Sequence, residues 1–142
     1  YLRLSGTETG VRQAQRQLGD PTLEQAPAWW ASIRDQSHPF FQRRLPLWRL
    51  SVPAATPALA IDGEWLVDWA GGQRWLSTGE SAETVRRMTA CVGGHATLFR
   101  NGDATTDIFH PLPPALLQLH RRLKQSFDPD GILNPGRMYR GL

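Results

Sequence analysis

Apolar residues along the chain recur with two different periods, and the points where the period changes mark out its elements. Tyr1-Leu2-Arg3-Leu4 alternates like a short strand. After Thr7, Val11, Ala14 and Leu18 fall at i, i+3 and i+7 while Arg12, Gln13, Arg16 and Gln17 face away, which predicts a helix stopped by Gly19 and Asp20-Pro21. A shorter helix is predicted over 28–36, carrying Trp29, Trp30 and Ile33 and ended by Ser37-His38-Pro39.

Period-2 patterning dominates the middle of the chain. Leu45 to Val52 reads as a strand through Leu47, Trp48 and Leu50. Ala58-Leu59-Ala60-Ile61 and Glu64 to Trp69 read as two more, joined by Asp62-Gly63 as a tight hairpin, with Trp65, Val67 and Trp69 on one face and expected in the core. Gly71-Gly72 marks the next reversal, before Arg74-Trp75-Leu76. Ser81 then caps a helix whose buried stripe is Val85, Met88 and Val92, and Gly93-Gly94 ends it. Ala96 to Phe99 is a further strand, closed by Asn101-Gly102. Leu116, Leu119, Leu123 and Phe127 define the last helix, stopped by Asp128-Pro129-Asp130-Gly131.

The resulting order, β-α-α-β-β-β-β-α-β-α, predicts an α+β fold: an antiparallel sheet with helices packed on it, an elaborated ferredoxin-like arrangement. That architecture implies no function by itself.

The 142 residues suit one domain, and 40% apolar with 20% charged residues describes a globular chain. The opening alternation at Tyr1, without Met, is expected of a segment that begins inside a longer polypeptide. The formal charge of +3, from an excess of arginine over acids, comes with no basic run of five or more, so it does not demand a nucleic-acid partner. No stretch approaches the ~18 apolar residues of a membrane span. The one cysteine, Cys91, excludes an internal disulfide and fits a reducing compartment. Cys91 and His95 lie four apart, but there is no Cys-x-x-Cys and no second cluster, so no metal is expected.

The tail carries the most specific signal. Leu123 to Tyr139, with Phe127-Asp128-Pro129 followed by Leu133-Asn134-Pro135-Gly136-Arg137, is similar to the C-terminal signature of FAD-linked oxidases of the vanillyl-alcohol oxidase type. Within that family, Gly93-Gly94-His95-Ala96-Thr97-Leu98-Phe99-Arg100 and Pro111-Leu112-Pro113 resemble the E-subunit group of the glycolate oxidases. The resemblance implies that residues 1–142 form a C-terminal, substrate-side cap, with the FAD-binding domain lying outside this chain. It implies FAD-dependent oxidation of a 2-hydroxy acid such as glycolate to the 2-oxo acid, in a complex with a second flavin subunit and an iron–sulfur subunit. It further implies a cytoplasmic location, with any membrane association made through that complex. The isolated segment is then expected to be inactive and to hold no FAD. Related hydroxy-acid oxidases carry His-x-Gly-Asp-Gly-Asn-x-His-like segments, whereas the comparable place here has His95 with no acid partner.

Against that background, Asn134-Pro135-Gly136 suits close backbone approach to a planar ligand, or makes an ordinary turn after a helix. Arg137 and Arg140 can pair with phosphate or with acids, or stand in solvent. A neutral His95 can take the hydroxyl proton of a substrate, or be a hydrogen-bonded sheet residue. Arg100 and Arg74 are candidates for holding a substrate carboxylate. Two other classes remain: a module that docks other oxidase subunits, and a sheet-surface nucleic-acid binder displaying Trp65 and Trp69 beside basic residues.

Overall fold

The computed structural model describes residues 2–19 and 23–142, in two compact units, 1–38 and 39–142. The expected strand residue Tyr1 and the Asp20-Pro21 stop lie outside the described residues.

In the first unit, α1 (Glu8–Leu18) starts at Thr7, whose hydroxyl accepts from the Gly10 N–H, and ends at Gly19, which is left-handed at φ 70°. Arg12 pairs with Glu8 one turn back. In α2 (Ala26–Arg34), Trp29 and Trp30 meet edge to face at 4.6 Å, and the Arg3 guanidinium lies 5.8 Å from the Trp30 ring. Leu2 to Leu4 is not a strand. Three alternating residues cannot hold an extended ladder without a partner to take their backbone hydrogen bonds.

The second unit is built on four strands, β1 (Leu47–Ser51), β2 (Glu64–Asp68), β3 (Gln73–Ser77) and β4 (His95–Arg100), in the order β2-β3-β1-β4 with every pairing antiparallel. This is the ferredoxin-like strand order, with α3 (Ala82–Ala90) crossing from β3 to β4. Where that fold has its other crossover helix, residues 52–63 form a loop. Its Ile61 is buried with Trp48, Leu50, Leu76, Val85, Ala96 and Leu98 in one core.

That loop corrects two expectations. Ala58 to Ile61 is not a strand, because the Ile61 N–H turns back to the Leu59 carbonyl at 2.9 Å. Asp62-Gly63 is not a hairpin turn either. The Thr78 hydroxyl donates to the Asp62 carbonyl at 2.5 Å, and Gly63, at φ 146°, lies against β3 so closely that a Cβ would stand 2.6 Å from the Ser77 carbonyl oxygen. The hairpin that does form joins β2 to β3 through a 3-10 turn, Trp69–Gly71. Asp68 accepts from the Trp69 N–H at 2.8 Å, and Trp69, Ala70 and Gly71 all have positive φ. The strand therefore stops at Asp68. Trp65 packs against the core, but Trp69 is 76% exposed, against the expectation that both rings would be buried.

α4 (Pro114–Phe127) departs further from expectation. Its stripe is present, but Leu116, Leu119, Leu123 and Phe127 are 40–82% exposed. The inner face of the sheet is already filled by α3 and Ile61, so this stripe has no place in that core. No helix among the described residues is long and apolar enough to cross a membrane.

Candidate functional site

The polypeptide after α4 is organised by one carboxylate. Asp128 caps the helix through its N–H to the Lys124 carbonyl at 2.8 Å, and its buried side chain accepts from the backbone N–H groups of Ile132 at 3.0 Å and Leu133 at 2.9 Å. Lys124 donates to both Asp128 and the Leu133 carbonyl. The Asp of Phe127-Asp128-Pro129 thus pins the returning chain to the helix it has just left. Beyond the pin, Asn134 and Gly136 adopt left-handed backbone at φ 48° and 67°. Asn tolerates that region better than most side chains, and Gly adopts it freely. No heavy atom beyond its chain neighbours stands within 4 Å of where a Cβ on Gly136 would be, while its N–H donates to the Leu142 carbonyl. Asn134 and Arg137 line a groove of about 530 Å³ with His120, Lys124, Leu133 and Met138. Farther on, Arg140 pairs with Asp107 at 3.1 Å and donates to the Thr105 carbonyl, so its partner lies within this chain.

The Lys124 ammonium, together with the Leu133 and Ile132 N–H groups, holds the Asp128 carboxyl below the usual aspartate range. A depressed folded-state pKa means that the stabilisation is present above the unfolded value, about 3.9, and is lost as pH falls through the folded value. Hydrogen exchange checks this. The Ile132 and Leu133 amides are expected to lose protection only in that acid range, and Asp128→Asn to speed their exchange roughly 10-fold at neutral pH.

The second cluster lies on the sheet face opposite α3. Cross-strand register puts Asp68, Gln73, Ser51 and His95 in one row, and Leu66, Trp75, Arg49 and Thr97 in the next. The far end of this face is closed by aromatic residues. Phe41, in the 3-10 turn Pro39–Gln42, and Phe99 both meet Trp75 edge to face, at 5.5 and 4.9 Å. The near end is polar, with Ser51, Arg49 and His95 exposed. The outer edge of β4 is covered by the segment before α4. The Leu98 N–H bonds the Ile108 carbonyl at 2.8 Å, and the Ala96 N–H bonds His110 Nδ1 at 3.2 Å. Burial first, then proximity to Arg86 and to His95, lowers the His110 pKa, in keeping with Nδ1 accepting from Ala96.

Asn134, Pro135, Gly136 and Arg137 come together in the tail, and His95 stands exposed at the start of β4. Arg100, at the other end of β4, lies 5.4 Å from the Phe99 ring. Arg74 is on the helix-covered face, only 6% exposed, donating Nε to the Gly71 carbonyl at 3.2 Å, a terminal nitrogen to the Pro57 carbonyl at 2.8 Å, and its other to the Thr56 carbonyl. The guanidinium offered as a substrate clamp is therefore occupied in holding the 52–63 loop. Arg49 and His110 were not singled out by sequence reasoning. The strand pattern alone could have found Arg49, as the charged residue between Trp48 and Leu50. Nothing local marks His110. No group of three or more possible metal ligands occurs among the described residues.

Residues 111–138, covering α4 and its return segment, match the family model for the C-terminal domain of FAD-linked oxidases. The chain is also 41% identical over all 142 residues to glycolate oxidase subunit GlcE of Escherichia coli (strain K12). Together these findings support a C-terminal domain of an FAD-linked oxidase, α+β in class. The chain spans 39% of the length of that relative. No solved structure matches.

Proposed function

We propose that residues 1–142 form the substrate-side cap of an FAD-dependent 2-hydroxy-acid oxidase subunit, acting on glycolate within a multi-subunit complex, with the FAD-binding domain elsewhere in the polypeptide. The observation that carries this reading is the pinned return segment, where Asn134 and Gly136 hold open, left-handed backbone beside Arg137 and Lys124. That arrangement fits a flat ring with an anionic tail, such as a flavin nucleotide. Asn134, Pro135, Gly136 and Arg137 are the residues assigned to hold it. When bound, the flavin supplies the two-electron acceptor for the substrate hydride. The chain's own part is to orient the acid and receive its hydroxyl proton, a role that falls to His95. An exposed arginine of the same sheet holds the carboxylate, a role that the enclosed Arg74 cannot take. The apolar stripe of α4 is the surface offered to the rest of the polypeptide, since this chain covers only 39% of its relative's length. The second flavin subunit and the iron–sulfur subunit are the proposed partners in a cytoplasmic complex.

Flavin absorbance tests the reading. The isolated segment is expected to be colourless, whereas the full-length subunit should show the flavin band near roughly 450 nm and lose it on anaerobic addition of glycolate. In the full-length subunit, Gly136→Val should lower the bound flavin about 10-fold at equal soluble yield, because a branched side chain strains a left-handed position and fills the open approach. Stoichiometric FAD on the isolated segment would overturn the assignment.

A further inference from the structure

We infer that Arg49 is the carboxylate anchor of this domain, with His95 beside it for the neighbouring hydroxyl; the inference rests on the function proposed above and names its recognition site. Arg49 stands in β1, an interior strand, directly opposite Thr97 on one side and Trp75 on the other. It is exposed, and no acid pairs with it among the described residues. The two carboxylates on the same face belong to β2, which β3 separates from β1, so they stand about 10 Å away across two strand spacings. Both are already engaged, Glu64 with Arg43 and Asp68 with the Trp69 N–H. This guanidinium thus stands in the middle of a sheet face with no acidic partner among the described residues.

Its surroundings set the size and chemistry of that counter-ion. Ser51, paired with both Gln73 and His95, supplies a polar row one step toward the hairpin, while Trp75 flanks Arg49 in its own row and Phe99, packed on Trp75, closes the side beyond. His95 is a diagonal neighbour of Arg49, at about 7–8 Å. A small molecule bearing a carboxylate and a hydroxyl on adjacent carbons spans that gap. The planar fork of the guanidinium takes the carboxylate in two parallel bonds, and the imidazole meets the hydroxyl. Arg74, on the other face, cannot join it.

Calorimetric titration of the full-length flavin-loaded subunit with oxalate, a two-carbon dicarboxylate, tests the site. Wild type should bind, and Arg49→Gln should weaken binding about 10- to 100-fold. Arg49→Lys should fall between, since it keeps the charge but loses the fork. Arg87→Gln, on the exposed side of α3, should stay within about twofold, and the urea midpoints of all variants should stay close to wild type. Wild-type binding by Arg49→Gln overturns the proposal. Absence of oxalate binding by wild type also overturns it; if glycolate still bleaches the flavin in that case, the proposed function stands without this site, and if not, both fall.

Discussion

Replacement of Arg74 by methionine is expected to lower the stability of the protein by about 2–4 kcal/mol, read as a lower urea midpoint at unchanged slope. The side chain is buried, and its guanidinium satisfies the carbonyls of Thr56, Pro57 and Gly71. Hydrogen bonds from a charged donor contribute about 1.5–3 kcal/mol each, but the three are not additive, because a loop near the surface recovers some water once the arginine is gone. These bonds fix the 52–63 loop, which carries Ile61 into the core where the ferredoxin-like pattern has a helix. The loss therefore reaches the packing around Leu76 as well as the polar contacts. Arg74→Lys should recover only part of it, because one ammonium cannot span three carbonyls arranged around a planar fork. Arg49→Gln should stay within about 0.5 kcal/mol of wild type. This contrast separates the arginine that holds the fold from the one that faces outward.

The two arginines also show where sequence reading succeeded and where it failed. Period-2 patterning locates β1, β2 and β4, and the i, i+3, i+7 stripe locates α3, because each has one face committed to the core; β3 is marked instead by the Gly71-Gly72 reversal before it. On β3, however, Arg74, Trp75, Leu76 and Ser77 are all buried, so alternation carries no information about which face is which. Arg74 could then be read as reaching outward when it is enclosed. Arg49 sits between two buried residues, and its outward direction was legible in principle. The error at Trp69 has a different origin. Its alternation with Trp65 and Val67 continues the strand pattern, but the Asp68 carboxylate captures the next N–H and the backbone turns through consecutive positive φ values, a local competition that hydrophobic period does not report. In α4 the period gives the helix but not what its stripe packs against. A stripe states that a helix has an apolar side; it does not state that the partner lies within the same 142 residues. The tail was recognisable as a motif, yet the role of Asp128 as its pin depends on hydrogen bonds from Ile132 and Leu133 that follow only once the chain has turned.

Gly93 and Gly94 read from sequence as a single helix stop, but they are expected to differ in how much substitution costs and why. Gly93 is left-handed at φ 75°, with no heavy atom beyond its chain neighbours within 4 Å of a would-be Cβ. Its requirement is conformational, so Gly93→Asn should cost no more than about 1 kcal/mol, since Asn visits that region at modest expense. Gly94 is constrained by space. A Cβ there would stand 2.5 Å from the Ser51 carbonyl oxygen, 2.6 Å from Val52 Cγ1 and 3.0 Å from Thr89 Cγ2. The Ser51 carbonyl belongs to the sheet and cannot swing aside as a side-chain tip would. Gly94→Ala is therefore expected to cost about 3 kcal/mol, at the upper end of overpacking. The forced movement falls between β1 and the start of β4, where Ser51 and His95 face one another. Hence Gly94→Ala should also weaken oxalate binding by the full-length subunit, while Gly93→Asn leaves it within about twofold. Equal urea midpoints for the two variants would mean that the close approach of Gly94 to β1 does not set the position of this strand.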